Sequence, residues 1–282
     1  MKSILTIADG GPALDTTLSH ASIWADLFGA IHNVVHVRDE AALKPSKMAA
    51  DFAVAGAAAA GVANFEWNEK FGGERASAAQ AAYRRVIANS RRSTFREVEA
   101  RGHEAAAVVQ LGRVSDLIVV ARPGSDPAKP EPAYVSAAIF ETARPVLVAP
   151  PTPPRAPLVN AVIAWNGAAQ AARAVGYALP LLQHAQSVTV LSIGPRGHRA
   201  ASEQLIRYLA AHGIEAHSVG LDLGQVSARA RGRGLLTYLH NSDADLLVTG
   251  AYGDGALAKF LGLGGATSKI ITASKVPVFI AH

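Results

Sequence analysis

The chain has 282 residues, half of them hydrophobic and 17% charged, and no cysteine; it can bury a sizeable core, and disulfides, thiol catalysis and Cys-based metal sites are excluded. Its 27 basic and 22 acidic residues leave a net charge of +5, but the basic residues are scattered rather than blocked, so nucleic acid is not the expected partner. The start, MKSILTIADGG, carries a short apolar run broken by Asp9, and the longest apolar stretch, 52–63, is too short to span a bilayer, so a soluble, cytoplasmic protein with no membrane partner is expected.

Residues 3–8 read as a strand closed by Asp9-Gly10-Gly11. Leu14, Leu18, Ile23, Trp24 and Leu27 fall at near-helical spacing and predict a helix over 14–28, ended by Gly29. A strand follows at 31–37. The Ala-rich segment 39–92 predicts one or two helices with a break near Phe71-Gly72-Gly73. Then come a strand at 94–99, a helix at 103–111, a strand at 116–120, a Pro-rich loop at 122–132, a short helix at 135–142 and a strand at 145–148. Residues 150–157 read PPTPPRAP; so many prolines stop both a helix and a central strand. The run predicts a semi-rigid linker and a boundary between a first domain, 1–150, and a second, 158–282.

Beyond the linker the pattern restarts: strand 161–164 closed by Trp165-Asn166-Gly167, helix 168–183, strand 188–193, helix 203–212, strand 214–219, helix 226–239 and strand 245–249. A glycine-rich stretch, a short helix and a strand at 276–281 complete it. The halves can be overlaid: ILTIADGG on VIAWNGAA, VVHV on VLSI, SDLIVVA on ADLLVTG, RPVLVA on VPVFIA. This is an internal duplication. Alternating strands and helices in each copy predict two tandem doubly wound parallel α/β sheets of Rossmann-like form. Ligands in such sheets bind beyond the carboxyl ends of the strands, where the strand order switches. The stretch from Gly250 to Thr267 follows a buried strand and opens a helix, an arrangement suited to holding phosphate on backbone N–H groups.

These features resemble the universal stress proteins in their tandem form. The family's mark is a glycine, two residues, a glycine, about nine residues and a further glycine followed by a small or hydroxylated residue. Gly250, Gly253 and Gly264-Gly265 supply it, with Thr267 just beyond. The DLLV strand, the first strand ending in Asp or Asn plus Gly, and the apolar-Pro-Val-apolar last strand also match. Ten residues separate Gly253 from Gly264, one more than is usual in the family.

For the second half the resemblance implies an ATP or related adenine-nucleotide site, with or without Mg²⁺. Ala164 and Asn166 would hold ribose and adenine, with Asn166 standing where the family usually has Asp. Ile193 would pack on adenine, and Thr249 precedes the first glycine. Gly250, Gly253, Gly264, Gly265 and Ala266, with Thr267, would hold the phosphates. In the first half Asp9 and Val37 match nucleotide-contacting positions. There, however, the loop reads RPGSDPAKPEPAYVS; only Gly124 remains, and the prolines remove N–H donors. That half is expected not to bind ATP in the family manner.

The plainer readings differ. Strand-end glycines are often only turn residues. Asp9 could cap the following helix. His36 would be a packed sheet residue, the tryptophans packing residues, and Arg84-Arg85 and Arg91-Arg92 solvent-facing. The histidines show no metal-ligand spacing, and neither a nucleophile elbow nor a Walker Lys-Ser/Thr pair is present. An enzyme is therefore not expected, beyond slow ATP hydrolysis at most. The leading expectation is a stress-response protein whose second half takes a nucleotide as a regulatory ligand. Its two halves would pack as an intrachain pseudo-dimer, with further homodimerisation possible. The alternatives are a nucleotide-free interaction module of the same fold, or an enzyme of the wider adenine-nucleotide α-hydrolase-like folds.

Overall fold

The computed structural model describes residues 1–39, 73–87, 92–100, 104–124, 132–155, 158–194, 198–224, 227–251 and 266–282. The break expected near Phe71-Gly72-Gly73 falls almost wholly outside them. The first half runs β1 (Ser3–Ile7), α1 (Leu14–Phe28), β2 (Ile31–Asp39), α2 (73–86), β3 (Ser93–Ala100), α3 (Glu104–Gly112), β4 (Leu117–Ala121), α4 (Ala133–Glu141) and β5 (Val146–Ala149). The second runs β6 (Asn160–Ala164), α5 (Ala169–Leu182), β7 (Ser187–Ile193), α6 (His198–Ala211), β8 (Ala216–Leu221), α7 (Ala228–Asn241), β9 (Leu246–Gly250), α8 (Ala266–Ala273) and β10 (Val278–Ala281).

All ten strands lie in one sheet, ordered β3-β2-β1-β4-β5-β10-β9-β6-β7-β8. Every pairing is parallel except β5 with β10, where Leu147 faces Phe279 antiparallel. Each half thus has the same doubly wound order, as the alternating pattern predicts. Both faces of the sheet are covered, because alternate strand residues turn to opposite sides. Leu5, Val148, Val162, Leu247 and Ile280 join α3, α4, α7 and α8 on one face; Ile4, Leu147, Ile163, Val248 and Phe279 join α1, α5 and α6 on the other. Both cores run across the β5–β10 seam. Apolar runs such as LIVVA in β4, buried at every residue, are what a parallel strand covered on both faces requires.

One device recurs at the start of the first strand in each half. The Asp116 carboxylate accepts the N–H groups of Lys2 at 2.5 Å and Ser3 at 3.1 Å, and Asp245 accepts those of Val159 at 3.1 Å and Asn160 at 3.0 Å. Each Asp also donates its own N–H, at 2.8 Å, to the carbonyl of Ser3 or Asn160. These acids lock the leading strand of each half to its neighbour across the switch in strand order.

Element bounds agree with the sequence pattern best where a cap is present: α1 spans the expected residues and ends on Gly29 at φ +56°. Two differ. Helix α6 begins at His198, not 203, and β8 begins at Ala216, not 214, because Ile214 folds back to give its N–H to the Leu209 carbonyl. No helix among the described residues is long and apolar enough to cross a membrane.

Candidate functional site

In the second half the chain leaves β6 toward β7 and β8, then returns to place β9 and β10 on β6's other flank. The strand order switches between β6 and β9, and their carboxyl ends open the crevice where such sheets take ligands. Ala164 at the end of β6 is paired with Thr249 in β9, and Ile193 ends the neighbouring β7, half-buried against the core. Asn166 follows β6 and is exposed. Its Oδ1 accepts the N–H of Ala168 at 3.0 Å, and Gly167 turns the chain at φ +75°. This Asx turn brings in α5 directly. Thr249 is buried, with its hydroxyl donating to the Gly250 carbonyl at 3.3 Å.

Gly250 has a packing reason to be glycine. A Cβ there would lie 2.5 Å from the Ala171 nitrogen and 2.7 Å from the Gln170 carbonyl carbon. The first turn of α5 rests on the end of β9, and only a residue without a side chain lets it. The sequence pointed to Gly250 as a strand-end turn residue or a phosphate contact; its contact with α5, some 80 residues earlier, carries no local signature.

Five of the expected site residues, Ala164, Asn166, Ile193, Thr249 and Gly250, therefore lie at one end of three adjacent strands. Gly253, Gly264 and Gly265 lie outside the described residues. Ala266 and Thr267 open α8, with only their backbone described. No group of three or more His, Asp or Glu suited to a metal ion occurs among the described residues.

The corresponding crevice of the first half, between β1 and β4, is built differently. Ala8 donates its N–H to the Val35 carbonyl as Trp165 does to that of Leu191, both at 2.8 Å. Asp9 is thus the counterpart of Asn166, and the overlay of ILTIADGG on VIAWNGAA moves by one residue. Asp9 does not cap α1, whose N-cap is Ala13 with no side-chain bond. Its Oδ1 accepts the Gly11 N–H at 2.9 Å, the same Asx turn as at Asn166. Its Oδ2 accepts the Tyr134 hydroxyl at 3.2 Å. Tyr134, at the start of α4, is 3% exposed; burial first, then the charges of Asp9 and Glu104, push its phenol well above the ordinary range. Over the turn, a Cβ on Gly10 (φ +71°) would lie 2.5 Å from the Arg75 carbonyl oxygen. A side chain and a backbone segment of the chain itself thus occupy the end of β1. Counting back from the paired strands β5 and β10, Tyr134 corresponds to Ala266. Sequence reading missed it, although a bulky Tyr in one copy against Ala in the other was a usable signal.

His36 is a packed sheet residue, with Nδ1 2.6 Å from the Ala8 carbonyl. Arg85 pairs with Asp15 at the surface at 2.6 Å, and Arg92 donates to the Gly29 carbonyl. Arg122, just after β4, crosses the seam and donates to the Ser274 carbonyl at 2.8 Å.

No family model matches the sequence, and no curated protein matches it. Solved structures do match. A universal stress protein from Archaeoglobus fulgidus DSM 4304 superposes with a TM-score of 0.63 at 15% identity, over 99% of this chain and 96% of that one. A putative universal stress protein from Pseudomonas aeruginosa UCBPP-PA14 gives 0.59 at 11% identity, over 100% and 93%. A functionally unknown protein from Pseudomonas aeruginosa PAO1 gives 0.58 at 11%, over 100% and 92%. Across its whole length, the chain has the fold of the universal stress proteins.

Proposed function

We propose that this is a stress-response protein of the universal stress type, whose second half binds ATP or another adenine nucleotide as a regulatory ligand. The observation that carries this reading is the inequality of the two switch-point crevices. At β6/β9, Asn166 is exposed and its amide nitrogen has no partner among the described residues, so it is free to donate to a ribose hydroxyl. At β1/β4, the equivalent Asp9 is engaged by Tyr134. In this reading Ala164 and Ile193 border the base, and Thr249 and Gly250 lead into the glycine stretch. Gly253, Gly264, Gly265, Ala266 and Thr267 hold the phosphates at the start of α8, with Mg²⁺ accompanying them. The antiparallel β5–β10 pair supports an intrachain pseudo-dimer of two domains.

Calorimetry with ATP, ADP and AMP, with and without Mg²⁺, tests it. One site per chain is expected, lost in Asn166→Ala and kept in Asp9→Ala. Absence of heat at millimolar nucleotide overturns the reading.

A second reading, a nucleotide-free interaction module of the same fold, has one observation in its favour. The packing of α5 already requires glycine at position 250, so that glycine does not need a phosphate to explain it.

A further inference from the structure

The antiparallel pairing of β5 with β10 sets the carboxyl end of the first half's last strand beside the amino end of the second half's. The chain then crosses this seam through residues 150–155 on its way to β6. Both halves hold the crossing segment. The buried His20 of α1 donates from Nε2 to the Thr152 carbonyl at 2.9 Å, and the Thr152 hydroxyl donates to the Lys275 carbonyl at 3.2 Å. The carbonyl can only accept, so the proton of His20 sits on Nε2.

Against this strap lies a cavity of about 510 Å³, walled by Thr152, Arg155, the end of α7 and the end of α8. That is the size of a small-molecule site, and seams between packed units are where such sites concentrate. Its apolar surface includes Leu239, Ala273 and Pro277, and its rim carries Arg155, His240 and Lys275. None of these three side chains forms an ion pair among the described residues. Two acids also line it, Asp243 and Asp245, the latter with its carboxylate oriented by the amides of Val159 and Asn160. Arg155 also borders an adjoining cavity of about 430 Å³ that reaches Trp24 of α1. An apolar floor with Arg155 and Lys275, two cations without an ion-pair partner among the described residues, at its mouth suits a ligand having an apolar body and one anionic group. The site is separate from the β6/β9 crevice: Asp245 precedes β9 while Thr249 and Gly250 end it, with the roughly 16 Å length of a five-residue strand between them.

We propose that this seam cavity binds a small amphipathic anion, an aromatic or aliphatic body bearing a carboxylate, sulfonate or phosphate, with Arg155 and Lys275 pairing its charge. Such a ligand touches the strap and the second half together, so its binding stabilises the seam by mass action. The probe is 1-anilinonaphthalene-8-sulfonate, followed by its fluorescence on the intact chain. One saturable site is expected, weakened about tenfold in Arg155→Ala/Lys275→Ala and abolished in Ala273→Trp, which fills the cavity. The neutral N-phenyl-1-naphthylamine binds more weakly than the sulfonate, and saturating ATP leaves sulfonate binding unchanged. Thermal unfolding of each variant confirms that it is folded; the exposed charge pair carries the test if Ala273→Trp is not. Sulfonate affinity unchanged in the double variant, equal affinity for the neutral probe, displacement by ATP, or no binding at all overturns the proposal.

Discussion

The crevices at the ends of β1 and β6 are the same structure twice up to the turn, and different beyond it. Asp9 and Asn166 make the same Asx turn, each followed by a glycine with φ above +70°. After that, the first half takes six residues, Ala8 to Ala13, to reach its helix, and the second takes four, Trp165 to Ala168. The shorter connection lowers α5 onto the end of β9 and forces Gly250, where the first half has room for Ala121. A tyrosine at the start of α4 then fills the first crevice. A duplicated backbone keeps its hydrogen-bond framework, while loop length, one side chain and the Arg75 backbone make the end of β1 different from that of β6 among the described residues.

The largest expected effect comes from unfilling the first crevice. Tyr134→Ala removes a buried aromatic ring and the donor to Asp9, at a cost of about 3–5 kcal/mol in urea unfolding. Tyr134→Phe keeps the ring and loses only the hydroxyl, at about 1 kcal/mol. Equal losses in the two variants would show that the hydroxyl, and not the packed ring, is what closes this end of the sheet.

A pH effect of similar size separates the halves. His32 in β2 is buried, with Nε2 2.8 Å from the Thr6 hydroxyl, and burial lowers its pKa to about 4. The unfolded chain takes up this proton near pH 6.5 and the folded chain does not. The contribution is therefore whole above about 6.5 and is lost as pH falls toward 4, a swing of about 3 kcal/mol. By strand register, the second half has Ile163 and Val188 at these two positions. Thr6→Ile/His32→Val carries that apolar pair into the first half and should flatten stability between pH 6.5 and 4. The smaller slope from His20, whose pKa burial also lowers, remains. An unchanged slope would place the titration elsewhere.

Next comes the contact that closes the second half. Gly250→Ala drives a methyl into the backbone of α5 and should cost about 1–3 kcal/mol. At the matching position, Ala121→Gly loses only about 0.5–1 kcal/mol, through chain entropy and lost packing. If Gly250→Ala is neutral in stability yet loses nucleotide, this glycine serves the ligand rather than the helix.

Most of the framework could be read from the chain, and most of the crevice chemistry could not. The strands LIVVA and LLVTG announce themselves because both faces of a covered parallel sheet want apolar residues. Helix α1 has its bounds fixed by local signals, an apolar stripe and Gly29. The overlay of ILTIADGG on VIAWNGAA slipped by one residue because it matched apolar letters, whereas the structure aligns the turns at Asp9 and Asn166; the other three overlaid segments keep their register. Tyr134 stayed unread because its partner lies 125 residues away, and Gly250 because the helix that constrains it belongs to another stretch of chain. The glycines at 253, 264 and 265 rest on resemblance alone.

The smallest expected effect tests what the halves share. Asp116→Ala and Asp245→Ala each free two amides at the head of a leading strand, and each should cost about 1 kcal/mol, since these half-exposed groups can turn to water. Near-equal losses are expected near neutral pH, because the bonding is repeated bond for bond. The acid behaviour of Asp116 tests its lock further. The Lys2 amide foremost, with the Ser3 amide and Arg144, holds the Asp116 carboxyl below its ordinary value of 3.8 despite partial burial. Its contribution is present above that value and disappears as pH falls through the lower, folded one. Below that point Asp116→Ala should match the parent chain, and added salt should weaken only the Coulombic shares of the amino-terminal ammonium and Arg144. If instead Asp116→Ala costs nothing at neutral pH while Asp245→Ala costs its full share, the second half depends on a lock that the first half can lose, and the duplication is unequal in its framework as well as in its crevices.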